Sequence, residues 1–482
     1  ADAGVKPIVS VITPFYNTGA LFEQTASSLN CQSLQQWEWF IVNDASDDPV
    51  SISLLDAMRD KAPRITIVDQ TERRGPSAAR NVAARLTQAP YLFFLDSDDL
   101  IEPTALEKMV WCLESHPEWA MCKGYTVAFG AQSYLSKACF EDAWLFLDRN
   151  PVTLTAAVRR AAFDAVGGFD EGMRSGLEDW DLWLRFASHG YWGHTIPEPL
   201  DWYRRRSTHT DRWRLWTNRG IHGVRCDLRR AYPSLYRRGI DCIPERDYEP
   251  SHLLRLDAAF DNVLVPSPRA LILLSGSESY GQFAEVARPL MCSDVAVTIA
   301  MLGSVAGEGM QSLERLVSEA FVMSRFLHPE DYPRFLIYLL RSRRFERIVV
   351  WDSPETLGFV SLLKLHYPSS VYEKVGAMGP SMLTPGLIEG VTRSGSSAAS
   401  GSESALSSRP MLESVCLGDW IPTEQGGMLE NWQSQLCRRP ASLARLGRLG
   451  VWLFLLKERL WWWGRQIKEL LFLKPTAEAK CE

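Results

Sequence analysis

Several things are missing from this 482-residue chain, and each absence narrows what it can be. There is no basic excess: the formal net charge is −6, where a nucleic-acid binder would carry clustered Lys and Arg. The ten cysteines include no C-x-x-C and no Cys/His cluster at zinc spacing. They read as reduced thiols of a cytoplasmic protein rather than as a disulfide framework. No uncharged apolar run reaches the roughly 18 to 20 residues of a membrane span. The opening ADAGVKPIVS has no charged-then-apolar leader, and no internal repeat is visible. What remains is 46% apolar and 23% charged residues, an ordinary globular composition, at a length that suggests about two to four domains.

What is present is an alternation of strand and helix. IVSVITPF, WEWFIVND, RITIVDQ and YLFFLD are short apolar runs rich in β-branched or aromatic residues. Helix-like segments follow the first, between Ala20 and Leu34, and the third, where PSAARNVAARLTQ starts behind a Gly-Pro turn. This order predicts an α/β fold with a mostly parallel sheet and right-handed crossovers. Ligands bind beyond the carboxyl ends of such strands, and Thr13, Asp44 and Asp96 are expected there. The fourth run ends in Asp96, Asp98 and Asp99, and closely spaced carboxylates can hold a divalent cation against a diphosphate. An acidic helix-capping turn is the plainer reading of that run taken alone.

A second α/β pattern begins at Arg269, with strands in RALILLSG, DVAVTIAML and RIVVW. Helices are expected at 280–291, in FLIYLLRSRR and in TLGFVSLLKLHYP. Beyond about 375 a Ser-rich, low-complexity linker leads to an amphipathic tail rich in Trp and Arg. The tail can either lie against an anionic membrane surface through 440–474 or pack its Trp residues on the protein. The expected divisions are 1–210, a helical connector over 211–265, a partial Rossmann-like domain over 266–385, the linker over 386–430 and the tail over 431–482.

VSVITPFYN, FIVNDASDD, RRGPSAARN, FLDSDD and GLEDWDLWLR occur in this order. Together they make residues 7 to about 206 resemble the family 2 glycosyltransferases, inverting enzymes of the GT-A fold. The resemblance implies that Thr13, Pro14 and Tyr16 pack the base and ribose of a nucleotide-sugar donor, with a UDP-sugar favoured. It implies that Asp44 accepts a hydrogen bond from the base and that Arg80 helps to hold the nucleotide. Asp96 would meet the ribose or the metal-bound water shell, and Asp98 would ligate Mg²⁺ or Mn²⁺ on the diphosphate. Asp179 matches the general base, with Glu178 and Trp180 beside a glycan or lipid-linked acceptor. The plainer alternatives are acids at a helix N-terminus and Trp180 and Trp183 in the core. Many relatives carry a His where this chain has Arg206, and either Arg206 or His209 would take its place. The region 268–375 resembles, more weakly, the acceptor-side half of a family 4 transferase of the GT-B fold. The sugar-nucleotide half does not follow it, so this part is expected to be catalytically incomplete. A phosphatase of the haloacid dehalogenase type fits poorly, because Leu100 follows Asp99 where Thr or Val is needed and Asp96 lies on the fourth strand. The remaining alternative is a degenerate transferase kept for binding or scaffolding.

Overall fold

The computed structural model describes residues 6–59, 63–173, 176–206, 220–240, 268–276, 295–303, 317–368 and 370–375, with helical positions at 283, 287 and 290. The chain divides into two units, Ala1–Leu429 and Glu430–Glu482, and every described residue lies in the first. The expected linker and tail, His209, and most of the helix expected over 280–291 fall outside the described residues.

The apolar runs become strands where expected. β1 (Val9–Phe15), β2 (Trp37–Asn43), β3 (Ile65–Asp69) and β4 (Tyr91–Phe94) are parallel, in the order β3-β2-β1-β4. The helices α1 (Leu21–Asn30), α2 (Pro49–Arg59) and α3 (Pro76–Leu86) make the crossovers. Proline at the first turn of α3 loses no helical hydrogen bond there. After β4 the pattern changes. A two-residue β5 (Leu100–Ile101) leads into α4 (Ala105–Ser115), β6 (Met121–Gly130), β7 (Tyr134–Ser136) and β8 (Ala156–Arg159). α5 (Arg160–Ala165), α6 (Glu178–Ser188) and β9 (Gly193–Arg205) follow. β8 runs antiparallel between β4 and β6, and the complete nine-stranded sheet is mixed. The expected closing helices appear at Gly220–Ala231 and Pro233–Arg238.

The second sheet is wholly parallel. β10 (Arg269–Leu274), β11 (Ala296–Met301), β12 (Glu319–Val322), β13 (Arg347–Trp351) and β14 (Val371–Val375) are ordered β12-β11-β10-β13-β14. This is the Rossmann-like half that the sequence predicts, reversing beside its first strand. Helices Tyr332–Arg343 and Pro354–His366 pack against it. Ser353 caps the latter, accepting from the Thr356 N–H.

α4 joins the two sheets. All eleven of its residues are buried, including Glu107, Lys108 and Glu114. Buried charges require partners. Arg343 reaches across with Nη2 2.7 Å from Glu107 Oε2 and Nε 2.7 Å from Glu319 Oε2. Tyr338 donates to Glu107 at 2.5 Å, and Ser33 donates to its other oxygen at 2.6 Å. Glu198 receives Lys108 at 2.7 Å and Arg325 at 3.0 Å. Trp111 packs edge-on against Phe335 and Tyr338, each at 5.1 Å, so one apolar core runs through both sheets.

Candidate active site

The carboxyl ends of β1, β2 and β4, the start of α3 and the start of α6 assemble one polar region. Arg80, near the middle of α3, is its organising group. The side chain is 3% exposed and donates from Nη1 to Glu178 Oε1 at 2.7 Å and from Nη2 to Asp96 Oδ1 at 2.6 Å. Burial alone would lower its pKa, but the Asp96 and Glu178 carboxylates outweigh that and push it upward. Two acids about 80 residues apart in sequence therefore share one guanidinium.

Asp44 sits just past β2 and is buried. Its oxygens accept the backbone N–H groups of Arg74 at 2.7 Å and Gly75 at 2.8 Å. Its first partners are thus the loop that opens α3. Each oxygen keeps a lone pair for a further donor. Asn43, in the position where the resemblance expects a second acid, donates to Asp69 at 2.9 Å. Tyr16 is half-buried, with the Arg73 guanidinium 4.0 Å from its ring centroid, and Pro14 is half-buried beside it in sequence.

Two expectations need correction. Thr13 lies inside β1, two residues before its end, and is fully buried with its hydroxyl accepting the Trp39 indole N–H at 2.8 Å. It supports the loop from below and has no surface to offer a base. Trp180 is 1% exposed and donates its indole N–H to the Phe146 carbonyl at 2.6 Å. Its ring face is covered by core, as is that of Trp183, so the core alternative holds for both. Glu178 faces Arg80 and is buried.

Asp179 is partly exposed at the start of α6. Asn150 donates to its Oδ2 at 2.6 Å and the Trp180 N–H to its Oδ1 at 2.9 Å. Burial, and then the Glu178 charge beside it, push its pKa up to about 7 against these hydrogen bonds and Arg80. Leu177, immediately before α6, is held at φ 62°, which sets the sharp entry into the helix. Asn150 was not foreseen, because a lone Asn in a loop carries no sequence signal.

Asp98 meets Arg206, whose Nε and Nη2 lie 2.8 Å and 2.6 Å from the same oxygen, Oδ2. Arg204 donates to the Asp98 carbonyl at 2.7 Å, and its N–H donates to Asp99 Oδ1 at 2.8 Å. Burial is the largest influence on Asp98 and raises its pKa, with Asp96 adding to it and Arg206 opposing. Asp99 is raised well above the carboxylate range by burial, then by Asp98 and Asp96. Burial and neighbouring carboxylates thus disfavour the charged forms of Asp98 and Asp99, a penalty that a cation would relieve. The residues present fit a divalent ion. Asp96 and Asp98 offer hard oxygen donors, and each has one oxygen outside its arginine contact among the described residues.

The profile of "Glycosyl transferase family 2" matches residues 10–130, and that of "Glycosyl transferase family group 2" matches residues 91–232. The putative teichuronic acid biosynthesis glycosyltransferase TuaG of Bacillus subtilis is 30% identical over 216 residues, 43% of this chain and 84% of that protein. The chain belongs to glycosyl transferase family 2. The mixed α/β sheet described above is the GT-A arrangement expected of the family. The O-antigen biosynthesis protein RfbC of Myxococcus xanthus is 28% identical over 200 residues, 40% of this chain but 16% of its own length. Several of the relatives matched are covered over less than half their length. S. aureus TarS 1-349 in complex with UDP-GlcNAc is a distant structural neighbour, at 17% identity and a TM-score of 0.38 over 51% of this chain and 69% of that one. The family matches fall on the first sheet and the helices that close it.

Proposed function

We propose that this chain is a glycosyltransferase that moves one sugar from a nucleoside-diphosphate donor to a glycan or lipid-linked acceptor, with inversion, in building a cell-envelope polysaccharide. A UDP-sugar is the favoured donor. The observation that carries the reading is the Arg80 bridge, which joins Asp96 to Glu178 and so sets the D-x-D strand end beside the Asp179 helix. The relatives' names supply the polysaccharide context.

In this reading Asp179 is the general base. Asn150 and the Trp180 N–H hold its two oxygens in place, and a carboxylate so held still has lone pairs for an incoming proton. The acceptor oxygen forms the new bond at the anomeric carbon while its proton passes to Asp179. The bond to the diphosphate breaks, and the nucleoside diphosphate leaves with the electron pair. One base opposite the leaving group implies a single displacement, hence inversion. Asp96 and Asp98 would hold Mg²⁺ or Mn²⁺, which when bound supplies charge stabilisation to the leaving diphosphate. Arg206, in the place of the family's His, keeps a fixed positive charge next to Asp98. Asp44 and the Arg74–Gly75 loop form the base side of the donor pocket, with Pro14 and Tyr16 alongside.

The second sheet serves as a scaffold or acceptor platform for the first, and its family 4 resemblance belongs to this proposal. Peripheral contact with a membrane face through 440–474 rests on the basic, Trp-rich sequence of the tail, and a cytoplasmic setting on the scattered cysteines. The competing reading is a degenerate binding subunit, favoured by the Arg206 guanidinium already engaging Asp98.

A panel of sugar nucleotides tested for Mn²⁺-dependent thermal stabilisation of the full chain would identify the donor. The matching donor should raise Tm, and its slow hydrolysis should vanish in Asp98→Ala and Asp179→Ala. Stabilisation by no sugar nucleotide ends the transferase reading. Binding with hydrolysis unchanged in both variants leaves the degenerate one.

A further inference from the structure

A second set of ligand-bearing side chains lies away from the sugar site, at the seam between the sheets. α4 ends at His116, and Glu118 follows in the turn toward β6. His328 comes in from the other sheet, between β12 and the helix Tyr332–Arg343. One ligand atom from each of His116, Glu118 and His328 lies within 4.8 Å of the other two. His328 Nε2 is 3.8 Å from Glu118 Oε1, and the two imidazole rings meet edge-on at 3.9 Å between centroids.

Two observations separate this cluster from a chance surface grouping. The Nδ1 atom of His116 is buried and makes no hydrogen bond, a state that costs free energy unless a ligand is taken up. The segments that carry the two histidines are also already tied together, through Ser115 just before His116. The His328 N–H donates to Ser115 Oγ at 2.8 Å, and that hydroxyl donates to Asp331 at 2.6 Å. Their mutual placement is therefore fixed before any ion arrives, which lowers the ordering cost of binding. His194 lies 5.7 Å from the His116 ring, but its Nδ1 is committed to Glu141 at 2.7 Å, so it is a neighbour and not a ligand.

We propose that His116, Glu118 and His328 bind one transition-metal cation of the Zn²⁺ type, which clamps the second sheet to the first. Two imidazoles and one carboxylate with a position open to water form a common zinc donor set. Ligand atoms about 2.0–2.2 Å from a shared tetrahedral ion stand about 3.3 Å apart. A contraction of about 1.5 Å from the present spread of up to 4.8 Å therefore suffices. Glu118 and His328 can supply it, with side chains 29% and 51% exposed. Nitrogen donors distinguish this site from the all-oxygen set of Asp96 and Asp98, which suits Mg²⁺ or Mn²⁺.

The test uses the full chain stripped by a chelator, titrated with Zn²⁺ by calorimetry and with Co²⁺ by visible absorption. About one equivalent should bind, the Co²⁺ spectrum should show the intense bands of a low-coordinate site, and Zn²⁺ should raise Tm. His328→Ala and Glu118→Gln should each weaken binding by about tenfold or more and abolish the Tm shift. Asp98→Asn should leave both intact. His328 is exposed, so the metal-free Tm of its variant should match that of the parent, which separates lost metal from lost fold. Uptake unchanged in His328→Ala, no uptake at all, or loss of uptake in Asp98→Asn would each overturn the proposal.

Discussion

Asp179 and Arg80 carry opposite burdens at the scale of single residues. As the proposed general base, Asp179 would work only when ionised, and its pKa is displaced to about 7 by burial and by Glu178. The reaction rate should therefore rise with pH through about 7 and level off above it, as a kcat/KM profile would show. Asp179→Asn should lower kcat by about 10² to 10⁴ and remove that rise. The same displacement has a consequence for stability. Between about pH 4 and pH 7 the native state still holds a proton that the unfolded chain has released. Stability contributed by that proton is present below about pH 4 and lost as pH climbs to about 7. Denaturation midpoints taken across this window should fall in the parent relative to Asp179→Asn. Arg80 is the reverse case, a cation that two acids require. Arg80→Ala leaves Asp96 and Glu178 facing each other without it and should cost about 3–5 kcal/mol by urea unfolding. Arg80→Lys should recover only part, since an ammonium lacks the fork that reaches both carboxylates.

At the scale of elements, the turn into α3 shows what positions the site. Gly75 adopts φ 91° and ψ 168°, a conformation essentially confined to glycine, while its N–H and that of Arg74 are gripped by Asp44. A Cβ at Gly75 would touch nothing within 4 Å, so Gly75→Ala should cost only backbone strain, about 1–3 kcal/mol. Because the strained residue lies in the proposed donor loop, the variant should raise the donor KM more than it lowers kcat, which steady-state kinetics would resolve. The parallel strands β1 to β4 were legible as short apolar runs bounded by turn residues, and α1 and α3 as runs of helix formers between them. α2, β5 to β9 and the mixed half of the sheet were not, since strands such as β6 (MCKGYTVAFG) break the alternating pattern with buried Lys123 and Thr126. Lys123 is tolerated there because Thr126 on the same strand, Asp201 on β9 and Thr153 in the loop before β8 surround its ammonium, and only the fold brings the last two near.

Across the whole molecule, the two sheets are held by buried charge as well as by apolar packing. Arg343 has no exposed surface and serves Glu107 from one sheet and Glu319 from the other. Arg343→Met should remove the cation shared by two buried acids and destabilise the chain by about 3–5 kcal/mol in denaturant unfolding. The triple variant Arg343→Met, Glu107→Gln, Glu319→Gln should recover part of that loss, because no buried charge is then left unpaired. Residue order alone determined the family and the parallel strands of the first sheet, because these lie in contiguous runs whose periodicity and spacing survive in one dimension. Tertiary structure decided which of those side chains are free. It buried Thr13 and Trp180 against Trp39 and Phe146, gave Asp98 to Arg206, and set His116 and Glu118 beside His328. Such outcomes depend on which surfaces meet across a sheet or a seam, and contacts between residues tens to hundreds of positions apart leave no local pattern to read.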